Sequence, residues 1–232
     1  MVKADLHNDH NSHKACVATV PIFNHLKDVQ MDEIMKTVQH VTFKRKEIIY
    51  HAGDKSDALY IVNRGRIRIY RLSESGKEQL VRILNPGDFT GELALFNEET
   101  HEAFAEAMMD TAVCLIKRED LQQFLIKYPT ISLKILTEFS SRLDKSEKQT
   151  TRFATESVET RIALFLAESV ESDKDEPQTI TLPMTKKDLA SYLGTTPETI
   201  SRKLAEFEDV GYIQQLPKGQ IKINDLDGML LH

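Results

Sequence analysis

Positive charge is not in excess in this chain. It has 30 Lys and Arg against 36 Asp and Glu, a formal net charge of −6. That excludes a protein that coats nucleic acid nonspecifically through many phosphate contacts. It leaves room for a small basic face, since a specific reader needs few well-placed cations. Cysteine is also scarce. Cys16 and Cys114 are the only two, too few and too far apart for a secreted disulfide framework. No apolar run approaches the roughly 18 residues of a membrane span, and the polar, His-bearing start lacks a signal-peptide pattern. The chain reads as cytoplasmic, with no membrane partner. Catalytic signatures are missing as well: there is no G-x-S-x-G, no Walker-type GKS/T, no HExxH and no paired CxxC. The expectation is a protein that is not an enzyme.

What is present falls into four parts. Residues 1–22 hold His7, His10, His13 and Cys16, spaced three apart. Imidazole and thiolate are the usual zinc ligands, and four would complete a tetrahedral site; a polar tail with incidental histidines is the alternative. Residues 23–125 open with a short helical stretch, where Met31, Ile34, Met35 and Val38 keep helical spacing. From residue 41 to about 117, short β-rich runs alternate with turn signals such as Gly53-Asp54, Gly65, Ser75-Gly76 and Pro86-Gly87-Asp88. That texture predicts a compact antiparallel barrel or sandwich.

Glu119 to about Phe153 is helical in character, with only Pro129 as punctuation, and residues 126–155 of it are the expected dimerisation helix. Leu136, Phe139, Leu143, Ser146, Thr150 and Phe153 step by 3 and 4, a heptad seam that suits a homodimer. Packing of that face on its own domain is the alternative. Residues 156–232 carry the strongest signal. Thr185 is an N-cap with Asp188 three residues on. Leu189, Ala190 and Leu193 give one apolar face, and Gly194 ends that helix. Thr195-Thr196 supplies the cap of the next, with Pro197 at its first position. Two short helices around a glycine turn form a helix-turn-helix. The start of the second helix reaches base edges in such motifs, which nominates Glu198, Ser201 and Arg202. Arg pairs with guanine and Glu accepts from cytosine. Thr196, Thr199, Lys203 and Lys218 complete the candidate DNA contacts. Ile213 and Ile221–Ile223, around Pro217-Lys218-Gly219, read as a wing.

On these residues the chain resembles the Crp/Fnr family of bacterial transcription regulators over nearly its whole length. The resemblance implies an α+β fold: an N-terminal double-stranded β-helix (a cyclic-nucleotide-binding-like β-roll), a long dimerisation helix and a C-terminal winged helix-turn-helix. The segment TPETISRKL is similar to the Fnr-type recognition helix. It implies a homodimer on a two-fold-symmetric site with TTGA-type halves, and RNA polymerase as a further partner. In members of the family that bind cyclic AMP, an Arg-Ser pair follows Gly-Glu-Leu and holds the phosphate. Here Gly91-Glu92-Leu93 is present, but ungapped counting puts Glu102 and Ala103 at the pair. Cyclic AMP is therefore not expected as a ligand. Cys114 lies in the strand that carries one iron–sulfur ligand in Fnr, yet four thiolates are needed for an all-Cys cluster. The two cysteines look more like those of the Flp branch, associated with a redox-switched disulfide. The resemblance thus nominates Cys16 and Cys114 as a redox or metal sensor. A β-roll sensing another small ligand through protein partners, or a regulator active without a ligand, are the alternatives.

Overall fold

Chain-length logic and local signals meet in a computed structural model that describes residues 17, 18, 20–92, 96, 100–170 and 178–231. His7, His10, His13 and Cys16 lie outside the described residues. Two compact units divide between Leu143 and Asp144.

Among the described residues the first unit contains eight strands: β1 (Gln39–Phe43), β2 (Ile48–Tyr50), β3 (Ala58–Arg64), β4 (Ile67–Leu72), β5 (Glu78–Leu84), β6 (Phe89–Thr90), β7 (Phe104–Ala107) and β8 (Thr111–Lys117). They form two antiparallel four-stranded sheets, in the orders β1-β8-β3-β6 and β2-β7-β4-β5. The turn signals read from sequence separate these strands. Gly91, just after β6, requires glycine: its φ is +83°, and a Cβ there would meet the carbonyl oxygen of Ala58 at 2.2 Å.

Alternation along β8 sorts its side chains between two cores, because successive residues face opposite sides of a sheet. Val113 joins Tyr50, Val62, Ile67, Ile69, Leu84 and Ala105 in a cluster drawn from both sheets. Cys114 and Ile116 face the other way. They sit with Leu59, Ile61 and Phe89 beneath apolar residues of helices α1 (Asp28–Met35) and α2 (Arg118–Lys127) and of α3 (Pro129–Thr155). Val17, Val20, Ile22 and Phe23 belong to the same cluster.

Two expectations shift. The first helix starts three residues before the periodic stretch, because the Gln30 side chain accepts a hydrogen bond from Lys27 N at 2.9 Å and fixes the start. The helical stretch after residue 118 is two helices with a break at Tyr128, where φ is −127° and ψ 75°. A residue before proline is pushed out of the helical region, and Pro129 follows.

The second unit holds α4 (Val158–Glu168), α5 (Lys186–Tyr192), α6 (Pro197–Val210), α7 (Leu226–Leu231) and a sheet ordered β10-β11-β9. Its strands are β9 (Gln178–Thr181), β10 (Ile213–Leu216) and β11 (Gln220–Ile223). Its apolar core is built from Ile162, Leu166, Leu189, Ile200, Leu204, Phe207, Ile213 and Ile221 among others. The short helix α7, which buries Met229, was not anticipated from sequence. No described helix is long and apolar enough to cross a membrane.

Candidate DNA interface and sensor site

The helix-turn-helix forms where the local chemistry directs. Thr185 Oγ1 accepts from Asp188 N at 3.1 Å and donates to the Asp188 carboxylate at 2.7 Å. Thr196 Oγ1 accepts from Thr199 N at 3.3 Å, with Pro197 opening α6. Such a cap typically contributes about 1 kcal/mol. Gly194, at φ +67°, makes the turn between them. Ile200, Leu204 and Phe207 then fix the inward face of α6.

That leaves Thr196, Glu198, Ser201 and Arg202 exposed and Thr199 half-buried. Glu198 lies in the first turn, where its own backbone N–H and the Thr196 hydroxyl hold its carboxyl below the usual range. An anion at a helix N-terminus is favoured, so Glu198 is ionised and aimed outward. The Arg202 guanidinium is two-thirds exposed, with only a 4.0 Å approach to Glu206. Lys203 is different. Its ammonium lies 2.6 Å from Glu159 and 2.5 Å from Glu206, and only 21% of the side chain is exposed. Those carboxylates raise its pKa. Lys203 therefore ties α6 to α4 and is turned away from the exposed face that sequence spacing assigned to it. Lys218 stands exposed in the turn of the wing, at φ 61°.

In the first unit, a buried carboxylate organises the end of the β-roll. Glu92 Oε1 receives Arg82 at 2.8 Å and Arg142 at 2.6 Å. Burial alone would raise the carboxyl pKa, but the two cations outweigh it and hold it below the ordinary value. Arg142 also donates to the Phe89 carbonyl oxygen at 3.2 Å and lies over the Phe89 ring. Tyr50 donates to or accepts from Thr90 Oγ1 at 2.7 Å, and its ring stacks on His101 at 3.7 Å. Burial pushes the Tyr50 hydroxyl up to about 12 and lowers His101. Among the described residues, Ser56 Oγ, Glu92 Oε2 and His101 Nε2 are buried here without a hydrogen-bond partner. Glu102, one of the two positions counted as replacing an Arg-Ser pair, is exposed and ion-paired with Arg71 on β4. Ala103 packs at the edge of the inter-sheet core.

Cys114 is fully buried and disulfide-bonded. On the neighbouring strand β1, His40 is its register partner, with Nδ1 3.5 Å from Cys114 Sγ. Sequence reading missed His40, because pairing between strands 74 residues apart leaves no mark in local spacing. It also missed Arg82 and Arg142 as partners of Glu92 for the same reason. Among the described residues no group of three or more His, Cys, Asp or Glu is placed to hold a metal ion. His7, His10, His13 and Cys16 fall outside that statement.

Comparison with known proteins decides the family. Residues 40–128 match the cyclic nucleotide-binding domain, and residues 160–230 match the Crp-like helix-turn-helix domain. A probable transcriptional regulator flp of Lacticaseibacillus casei is 34% identical over 93% of this chain and 96% of its own. The chain belongs to the Crp/Fnr family of transcription regulators. An anaerobic regulatory protein of Haemophilus influenzae is 31% identical over 87% of this chain and 78% of its own. Among solved structures, FixK2 from Bradyrhizobium japonicum superposes with a TM-score of 0.72, at 26% identity over 83% of this chain and 95% of its own. This Crp/Fnr regulator thus pairs a DNA-binding helix-turn-helix with a β-roll of the cyclic-nucleotide-binding type.

Proposed function

We propose that the regulator binds a palindromic TTGA-type site as a homodimer, and that a disulfide between Cys114 and Cys16 controls it. The exposed start of α6 carries the first part. It presents an ionised Glu198, Ser201 and an available Arg202 on a capped, rigid helix, with Thr196, Thr199 and Lys218 near the backbone of the bound duplex. Exposed apolar side chains on α3, Leu136 at 60% and Leu143 at 61%, support a homodimer seam, since such side chains gain by burial against a second copy.

The redox part rests on Cys114. It is disulfide-bonded, and the sequence offers one other cysteine, Cys16. Val17, its neighbour in sequence, lies in the same apolar cluster as Cys114. Zinc held by His7, His10, His13 and Cys16 competes for the same sulfur. Cyclic AMP is not the effector in this reading: at the positions counted for the Arg-Ser pair, Glu102 would set a negative charge beside the phosphate and Ala103 offers no hydroxyl. Its partners are DNA and RNA polymerase, and it acts without catalysing a reaction.

The test is binding to a duplex carrying a TTGAT–ATCAA palindrome under oxidising, reducing and zinc-loaded conditions. Affinity should change at least tenfold between oxidised and reduced protein. Equal affinity in all three states would overturn the redox and metal control, and no preference over a scrambled duplex would overturn the site. Calorimetric titration with cyclic AMP should show no saturable heat.

A further inference from the structure

A second carboxylate stands on the reading face of α6. Glu198, Arg202 and Glu206 follow one another at i, i+4 and i+8, so they share one side of the helix. The buried stripe of Ile200, Leu204 and Phe207 takes the other side. A negative charge on a face turned to DNA repels phosphate. Stability does not explain its place beside Arg202. The two side chains are 67% and 44% exposed and approach to 4.0 Å, and an exposed pair of this kind adds little. Acid before base is the better order along a helix, and here the base comes first.

The two oxygens of Glu206 are divided. Oε2 receives the Lys203 ammonium at 2.5 Å, and Glu159 on α4 holds the same ammonium at 2.6 Å. Oε1 is the oxygen nearest Arg202, 4.0 Å from its Nε. We infer that Glu206 is a positioning residue for base recognition: its Oε1 draws the Nε edge of Arg202 toward itself, so that the terminal NH2 pair meets the base. This rests on the reading of Arg202 as a base contact. The helix itself supplies the placement, through a spacing of four residues, and Lys203 takes only the second oxygen.

The chemistry of the guanidinium makes such guidance useful. It is a flat fork with donors on more than one edge. A parallel pair of N–H groups is offered by the two terminal nitrogens, and another by Nε with one of them. Guanine accepts a parallel pair at O6 and N7, so an unguided arginine meets it in two ways and has many rotamers to lose. A carboxylate beside Nε disfavours one way, and part of the ordering precedes DNA, which is how preorganisation raises affinity. At 4.0 Å the contact is too long for a hydrogen bond, so Arg202 turns to a base without giving one up. Glu206 also separates right from wrong duplexes. Where no guanine is offered, the best remaining partner for Arg202 is a phosphate. Glu206 competes with that phosphate and repels it. Nonspecific binding is weakened more than specific binding, and their ratio is what a regulator needs.

The test uses full-length wild type, Arg202→Ala, Glu206→Gln and the double variant, at one salt concentration and one redox condition. Each is titrated with the TTGAT–ATCAA duplex, with a TTAAT–ATTAA duplex that lacks the guanine of each half-site, and with a scrambled duplex. Glutamine keeps the side-chain length and an oxygen for Lys203 but carries no charge. Glu206→Gln should bind the palindrome about fivefold more weakly per half-site, a part of what a bidentate arginine–guanine contact supplies. It should bind the scrambled duplex at least as tightly as wild type, so the preference for guanine shrinks. In the Arg202→Ala background the same change should leave that preference where it was, because no guanidinium remains to be oriented; coupling of this kind marks a shared function. A residue that only supports the fold would weaken all three duplexes alike in either background, which would overturn the role. So would an unchanged preference for guanine in Glu206→Gln, or tighter binding of all three duplexes by one factor, the mark of a plain repeller of phosphate. If Arg202→Ala itself leaves the preference intact, the assignment of Arg202 fails and the positioning role fails with it, an outcome visible before Glu206 is changed.

Discussion

The two units are built on opposite interiors. Among the described residues, every fully buried side chain of residues 144–232 is apolar, while Lys203, Glu159 and Glu206 form a part-buried ion-pair cluster and Arg161 Nε is buried. In the first unit the buried set includes Ser56, Thr90, His101 and Thr111, with Glu92 clasped by two arginines and a sulfur bridge at Cys114. An apolar core holds one shape and presents a surface; it has no group whose charge or bonding can change. An interior with titratable, ion-paired and oxidisable groups has such states. The contrast fits reading by the second unit and, on the proposal above, sensing by the first.

The sharpest way to break this contrast is to damage each interior separately. Phe207 is among the largest fully buried side chains, and Phe207→Ala should cost about 4 kcal/mol through lost burial and the cavity left behind. The loss should appear as early melting of the second unit, with the β-roll transition retained; calorimetry resolves the two. In the first unit the sensitive group is a charge. Glu92→Gln leaves Arg82 and Arg142 without their counter-charge, and breaking a buried pair costs about 3 kcal/mol. Because the Glu92 carboxyl is held below its ordinary value of 4.5, its contribution is fully present above that value. It disappears as pH falls through the depressed folded value, so the variant should match wild type only in strong acid. A variant as stable as wild type at neutral pH would show that the arginines find water instead.

Much of the second unit was legible because its signals are local. Thr185, Asp188, Gly194, Thr196 and Pro197 act within a turn of their own positions, and the strand ends of the β-roll are likewise marked by turn residues beside them. The proposed sensor was legible only as two cysteines. His40 meets Cys114, and Arg142 meets Glu92, through sheet pairing and helix packing across 74 and 50 residues, and one sequence carries no record of such encounters. Lys203 fails for a related reason. Its spacing on α6 suits a DNA contact, but Glu159 on α4 captures it.

A substitution on the reading surface should sharpen the contrast by changing function without touching either core. Arg202→Ala removes an exposed guanidinium, so the melting temperature should hold steady. Affinity for the palindrome should drop by about 2 kcal/mol per half-site, the worth of one good base contact. Lys203→Ala should do the reverse, with little loss of specificity and a measurable loss of stability through the broken contacts to Glu159 and Glu206. If the two variants weakened binding equally, the assignment of Arg202 outward and Lys203 inward would be wrong.

The finest test concerns pH, and it turns on where the histidines lie. All but His232 precede residue 144, so imidazole titration between pH 7 and pH 5 falls mainly on the first unit. In the first unit, burial holds His101 below its ordinary value of 6.5, which means the unfolded chain binds that proton more readily than the native one. Stability then rises with pH through this window: the contribution of neutral His101 is complete above 6.5 and is lost as pH falls from there through the depressed native value. His101→Phe keeps an aromatic ring against Tyr50 and has nothing to titrate. Urea midpoints of the first unit should therefore fall less between pH 7 and pH 5 in the variant than in wild type. Parallel slopes would mean that His101 finds a partner for its buried Nε2 when protonated, and that this part of the β-roll does not respond to acid.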